Sequence, residues 1–427
     1  MMKIRKIAAL LLAVGVSAPA FATNGYFSHG FGIKAKGMAG VGIAMPQDAL
    51  AAATNPAGIV MVGDRLDVGV DWFQPKRGAD IVGNLGGLSG SYSGNGDSSF
   101  LVPEFGYNKM LGWDMAVGLA VYGNGGMNTR YEAGPFAAGG LGFFGGQNPS
   151  GVNLEQLFIA PTFAMKINKN HALGASIVFA YQTFGATGLQ AMTNPGFSIH
   201  SADVTNRGND HSSGWGLRLG WNGQISDNVT LGATYASKIK GKFDAYKGLF
   251  AEEGQFDIPE NYGIGIAVKA TPKLTVAADI QRINYGSVKA IANTADCLFA
   301  FGCQLGQSGG AGFGWRDMTA YKFGVSYEHS KDLTLRAGLS TNRQPIPSGQ
   351  TFFNILAPGV VENHLTLGGT MTLANKNELT AGYMHAFKKT VNGALSIGGA
   401  FGGMVGGGEA NLHMSEDSLG VAYGIKF

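Results

Sequence analysis

The chain has 427 residues, of which 69 are glycine, and only 14% are charged, against about 25% in ordinary soluble domains. Beyond the N-terminus no stretch offers the roughly 20 apolar residues that a membrane-spanning helix needs, so helical spans are excluded. The formal charge of +3 equals the three cations Lys3, Arg5 and Lys6. Without them the chain is neutral, which gives no support for nucleic-acid binding.

The N-terminus has three parts: a basic start to Lys6, an apolar run from Ile7 to Val16, and Ala20-Phe21-Ala22 with small residues flanking a cleavage point. That pattern predicts a secretory signal peptide over residues 1–22, rather than an uncleaved anchor. Residues 23–63 follow. They are rich in small residues, from Gly37-Met38-Ala39-Gly40 to Ala49-Leu50-Ala51-Ala52-Ala53, and end in Thr54-Asn55-Pro56-Ala57-Gly58. They alternate like no strand, and they lack an apolar run with the length of a membrane-spanning helix. A compact apolar piece beside so much sheet is expected to be buried as a plug, or hatch, inside a barrel.

From residue 64 to 427 the pattern has period two. Leu66, Val68, Val70 and Trp72 alternate with Asp67, Gly69 and Asp71, which puts the two sets on opposite faces of a strand. The same rhythm returns at Leu101–Tyr107, Met115–Val121, Leu157–Ile167, Leu173–Tyr181, Trp215–Trp221, Val229–Tyr235, Tyr262–Val268, Leu274–Ile280, Tyr321–Tyr327, Leu333–Leu339, Leu365–Leu373, Leu379–Phe387 and Leu419–Phe427. Apolar outward and small or polar inward is the pattern of a transmembrane β-barrel. A soluble sandwich would not repeat it so evenly. The fold class expected is all-β, an antiparallel barrel of about fourteen strands, an even number as bacterial barrels require.

Short turns such as Asn168-Lys169-Asn170-His171 and Thr271-Pro272-Lys273 alternate with long segments such as Gly125 to Gly151 and Ala290 to Arg316. That asymmetry matches periplasmic and extracellular ends. The last strand ends in Phe427, like the signal read by the bacterial outer-membrane assembly machinery. The expected location is therefore the outer membrane of a Gram-negative bacterium, with outer-membrane lipid and lipopolysaccharide as surroundings. Cys297 and Cys303 predict a disulfide closing a small loop in an oxidising compartment. A metal site there has only Asp296 beside it.

The long loops carry apolar clusters: Phe136, Phe143 and Phe144 in one, and Phe243, Tyr246, Leu249 and Phe250 in another. Exposed apolar patches mark binding surfaces, and burying an alkyl chain gains about 0.8 kcal/mol per methylene. The alternative is that these loops pack on one another and cap the barrel. Among the inward charges, Arg218, Lys322 and Arg336 can meet a ligand carboxylate through charge-assisted hydrogen bonds, or belong to a network that holds the plug. Gly306-Gln307-Ser308-Gly309-Gly310 matches G-x-S-x-G in letters but lacks the strand–turn–helix context of a nucleophile elbow. No metal-ligand spacing occurs among the eight histidines. Neither an enzyme nor a cofactor is expected.

The plug segment, its Asn55-Pro56-Ala57 and the strand series together resemble the FadL family of outer-membrane transporters. These carry long-chain fatty acids or aromatic hydrocarbons. The resemblance implies a monomeric fourteen-stranded barrel, Asn55, Pro56 and Ala57 as hatch motif, and an apolar groove among the loops. It also implies a kink in the third strand that opens the wall sideways. Gly123-Asn124-Gly125-Gly126 is the candidate kink, since glycine permits bulges; the strand could equally end there in a loop. The function implied is passive uptake of hydrophobic molecules. Long-chain fatty acids come first, and aromatic or alkane hydrocarbons by the same route are the alternative. A general porin and an outer-membrane hydrolase are more distant ones.

Overall fold

A computed structural model describes residues 24–132 and 149–427. The segment expected to be a signal peptide, and Phe136, Phe143 and Phe144, lie outside the described residues.

Alternating sequence becomes extended strand throughout. Fourteen strands run in chain order: β1 Arg65–Val82, β2 Phe100–Met110, β3 Met115–Tyr131, β4 Ser150–Lys166, β5 His171–Thr187, β6 Asp210–Ser226, β7 Val229–Ala236, β8 Asn261–Thr271, β9 Leu274–Ile283, β10 Met318–Glu328, β11 Leu333–Asn342, β12 Asn363–Thr372, β13 Glu378–Val391 and β14 Glu409–Lys426. Each pairs with its sequence neighbours, and β14 closes on β1 from Arg65↔Lys426 to Val82↔Glu409. A short strand, Gly90–Ser93, flanks the upper part of β1. Closure pairs the last strand with the first, as lipid requires because it cannot hydrogen-bond an exposed amide. Every apolar set read from the sequence falls on one of these strands, three of them running one residue past its end at Ile167, Leu373 and Phe427.

The strands are longer than those sets. β1 and β14 have 18 residues each, which is about 40 Å of height at about 3.3 Å per residue and a tilt near 45°. The apolar band of a barrel needs only about 25 Å. Along β1 the outward residues are Val68 and Trp72 below and Gln74 and Lys76 above, while inward Asp67 and Asp71 give way to Phe73, Ala79 and Ile81. β14 reverses likewise: Leu412 and Met414 are buried, and Leu419, Val421 and Tyr423 point out. The reversal marks where the wall leaves lipid and begins to enclose packed loops.

Residues 24–63 touch inward-facing groups of strands all around the barrel. Acidic side chains of the wall accept from backbone amides of this segment: Asp67 from Ala49 (2.9 Å), Glu104 from Ile33 (2.9 Å) and Asp279 from Gly42 (2.8 Å) and Ile43 (3.0 Å). Glu378 gathers three cations, Lys34 at 2.5 Å, Arg65 at 2.8 Å and Lys426 at 2.6 Å, and Lys36 pairs with Asp71 at 2.7 Å. Burying so many charges is tolerable because each is ion-paired or accepts hydrogen bonds from backbone amides.

Candidate functional site

The ladder between β2 and β3 is incomplete. It runs from Met110↔Ala116 up to Phe105↔Val121 and stops there. β2 nevertheless continues beside β1 to Phe100, and β3 continues beside β4 to Tyr131. Between Phe100–Glu104 and Tyr122–Met127 the wall therefore has no backbone pairing. The register of β3 against β4 shifts between Gly123 and Gly125, so Asn124 is the extra residue of a bulge. A bulge bends its strand and breaks pairing locally. The candidate kink lies at that bulge, within a strand and not in a loop.

The window has a lintel. Arg77, 1% exposed, reaches from β1 to donate to the Asn128 carbonyl of β3 (2.7 Å) and to the Asp97 carbonyl (2.6 Å). Gly96 donates to the Arg130 carbonyl at 2.9 Å. A five-donor guanidinium suits such a multiple tie.

The first described residues lie across the window on the inside. Gly126 donates to the Tyr26 carbonyl (2.9 Å) and Ser28 to the Asn124 carbonyl (2.8 Å). Only a glycine admits this approach, because a Cβ on Gly125 would sit 1.8 Å from the Tyr26 oxygen. Phe31 packs on Tyr122 with ring centroids 4.6 Å apart. Tyr26 is wedged among Tyr285 (5.2 Å), Trp315 (6.0 Å) and Phe256 (6.3 Å). The aromatic anchors Tyr26, Tyr285 and Trp315 escaped the sequence reading, since nothing local joins residues so distant in the chain.

Asn55 caps the short helix Pro56–Met61, its Oδ1 accepting from Ala57 at 3.1 Å. Its Nδ2 donates to the carbonyls of Ile43 (2.7 Å) and Trp221 (2.9 Å). Proline at the first helical position costs no amide. The turn sits against two strand glycines: a Cβ on Gly220 would lie 2.0 Å from Asn55 Oδ1, and one on Gly174 2.4 Å from the Ala57 nitrogen. These inward glycines were not singled out in the sequence, where they read only as the small half of an alternating strand.

The three basic candidates fare differently. Lys322 donates to the His29 carbonyl (2.8 Å) and Gln281 (3.0 Å). Arg336 donates to Gln47 and Thr370, both at 2.7 Å. Arg218, 3% exposed, has one long bond, from Nη1 to the Thr54 carbonyl at 3.3 Å, and its Nε has no partner. Arg218 borders two small cavities. One, of about 20 Å³, is shared with Phe31, Ile43 and Lys322; the other, of about 10 Å³, is shared with Phe158, Val178 and Ile258. Each has room for about one water.

The loop cluster departs from the expectation of an exposed patch. Phe243, Tyr246, Leu249 and Phe250 are 0–5% exposed. Phe184 of β5 meets Phe243 (5.5 Å), Tyr246 (4.8 Å) and Phe250 (4.7 Å), and Phe250 meets Phe256 at 4.8 Å. The physical reason is the tall wall, which gives the loops an apolar inner face to pack on. A slot of about 10 Å³ remains among Phe184, Leu249, Phe250, Phe313 and Phe353. Cys297 and Cys303 are bonded, with Cα atoms 5.3 Å apart. Ser308 accepts from Lys289 at 2.9 Å, and Lys289 pairs with Glu252 at 2.6 Å. The Lys289 ammonium offers Ser308 only a donor, and the Ser308 hydroxyl itself donates to Glu252 at 3.4 Å.

Solved structures of similar fold include the Pseudomonas putida toluene transporter TodX, 18% identical over 93% of this chain and 99% of that one, with a TM-score of 0.67. A Pseudomonas aeruginosa FadL homologue is 16% identical over 94% and 98%, with a TM-score of 0.68. The Ralstonia pickettii toluene transporter TbuX is 17% identical over 93% and 99%, with a TM-score of 0.61. No curated protein matches the sequence. The family model described as outer membrane protein transport protein (OMPP1/FadL/TodX) matches residues 9–395. The chain therefore belongs to the OMPP1/FadL/TodX family of Gram-negative outer-membrane β-barrel transport proteins.

Proposed function

We propose that this chain is a passive channel for long-chain fatty acids, with residues 23–63 as its hatch. Ligand enters among the apolar loops, slides past Phe184 and Phe250, and pauses with its carboxylate at Arg218. It then leaves sideways through the unpaired wall between β2 and β3 at the Gly123–Gly126 bulge, once the segment carrying Tyr26 and Phe31 withdraws. The gradient drives it, and no cofactor is needed. The observation that carries the reading is Arg218. A buried guanidinium with an unpartnered Nε is costly, and a carboxylate would satisfy it through a charge-assisted pair. Lys322 lines the same small cavity and can share the anion; Arg336 borders neither cavity.

A second reading, uptake of aromatic or alkane hydrocarbons, is favoured by the fold shared with two toluene transporters. Such ligands would need no cation. The two readings separate in cells with and without the gene, given labelled oleate and labelled toluene. The fatty-acid reading expects gene-dependent oleate uptake that Arg218→Leu lowers by about tenfold, the worth of one modest charge-assisted bond. Gene-dependent toluene uptake with no oleate uptake would establish the hydrocarbon reading instead.

A further inference from the structure

The outer wall carries a basic cleft that transport does not use. It has a volume of about 590 Å³ and lies over the upper ends of β9, β10 and β11, bordered by Arg282, Arg316, Arg343, Asp317 and Tyr321. Its height in the membrane follows from register. Ile280, Tyr321 and Leu339 are outward and 44–55% exposed, so they belong to the apolar band, with a tyrosine at the interface where aromatic rings gather. Arg282 stands one outward step above Ile280, and Arg343 one step above Thr341, which pairs with Tyr321. The loop between β9 and β10 is a long one, so this end is extracellular. The guanidiniums therefore sit just above the lipid tails of the outer leaflet.

Among the described residues, only Arg282 of the three pairs with a carboxylate. Asp317 is already engaged, accepting from Arg282 at 2.9 Å and from the Gly286 amide at 2.7 Å. Glu362, the nearby acid, pairs with Lys389 at 2.5 Å. The exposed side chains of Arg316 and Arg343 have no partner among the described residues. Three guanidiniums facing one spent carboxylate leave an excess of positive charge at headgroup level. Guanidinium suits a phosphate oxygen pair geometrically and is weakly hydrated. Basic clefts at that level attract anionic headgroups.

We propose that this cleft binds a phosphate group of an outer-leaflet glycolipid, with Arg316 and Arg343 as the free ligands and the Tyr321 ring against the first acyl carbons. The test is native mass spectrometry of the full chain in detergent, titrated with bis-phosphorylated lipid A, with the same lipid after phosphatase treatment, and with inorganic phosphate. The double variant Arg316→Gln/Arg343→Gln is expected to bind the lipid about 25-fold more weakly, roughly fivefold per arginine. Lys76→Gln, an exposed cation on β1, is expected to bind as the unaltered chain does. Removal of the phosphates is expected to weaken binding to a similar degree, and this arm stands even if the double variant does not fold. Equal binding by the folded double variant, or by dephosphorylated lipid, would overturn the proposal. Displacement of the lipid by millimolar inorganic phosphate would also overturn it, assigning the cleft to a free anion.

Discussion

The amide of Gly126 donates a 2.9 Å hydrogen bond to the carbonyl of Tyr26, tying the start of the chain to the bulge in its own wall. The bond exists because Gly125 has no Cβ to meet the Tyr26 oxygen. Gly125→Ala should therefore release the strap without opening the barrel. Hydrogen exchange at the Ser28 amide, bonded to Asn124 in the same contact, should quicken at least about tenfold, the effect of losing about 1.4 kcal/mol of local stability. Unchanged exchange would detach the strap from the bulge.

The seat of Asn55-Pro56-Ala57 makes a second prediction. A methyl at Gly220 would overlap Asn55 Oδ1 and the Pro56 ring. Gly220→Ala should lower stability by about 1–3 kcal/mol, the usual cost of overpacking. The seat should also loosen, read as added conductance of the purified channel in planar bilayers. Gly349→Ala has open space around its would-be Cβ and should change neither quantity.

Glu378 joins the N-terminal segment to the wall. Its carboxylate serves Lys34, Arg65 and Lys426 at 2.5–2.8 Å. Glu378→Gln leaves buried cations short of a counter-ion and should cost about 3–5 kcal/mol. Thermal unfolding in detergent should show the loss. Lys426→Gln, half-exposed at the same carboxylate, should cost far less, about 1 kcal/mol or below.

Asp48 supplies a pH test. Burial, and secondarily Asp67, raise its carboxyl to about 6. The folded protein thus holds a proton that the unfolded chain releases nearer 4, and stability falls as pH rises between those values. Above pH 6 the buried charge is a standing cost. Asp48→Asn keeps an acceptor for the Leu50 amide, which Asp48 Oδ1 now binds at 3.0 Å. The variant should gain about 3 kcal/mol at pH 7.5 and nothing at pH 3.5, read from unfolding midpoints at both values. An equal gain at both would assign the effect to packing.

The barrel was legible because lipid enforces one rule along every strand that crosses it. Leu419, Val421 and Tyr423 announce a wall, and so do Tyr262, Ile264 and Ile266. Above the bilayer the rule inverts. Gln74 and Lys76 face water while Phe73 and Ile81 face loops, so half of β1 and the first half of β14 carried a reversed signal that looked like loop. The same blindness covers Phe243 and Phe250. Their apolarity was plain, but their burial depends on a wall whose height the alternation did not reveal. Arg218, Lys322 and Arg336 were all readable as inward cations. That Arg218 alone keeps an unpartnered nitrogen depends on Thr54, Gln47 and His29, contacts set by the three-dimensional path of the N-terminal segment.

Sideways exit is the center of the account, and deleting Asn124 tests it most directly. The deletion removes the extra residue between Gly123 and Gly125 and should let β3 pair with β2 above Val121 while the barrel still closes. Oleate uptake by cells carrying the deleted chain, at equal surface abundance, should fall at least about tenfold, to the level of cells without the gene, since a closed ladder in lipid offers no path. Uptake equal to that of the unaltered chain would contradict the account and send the ligand through the bore.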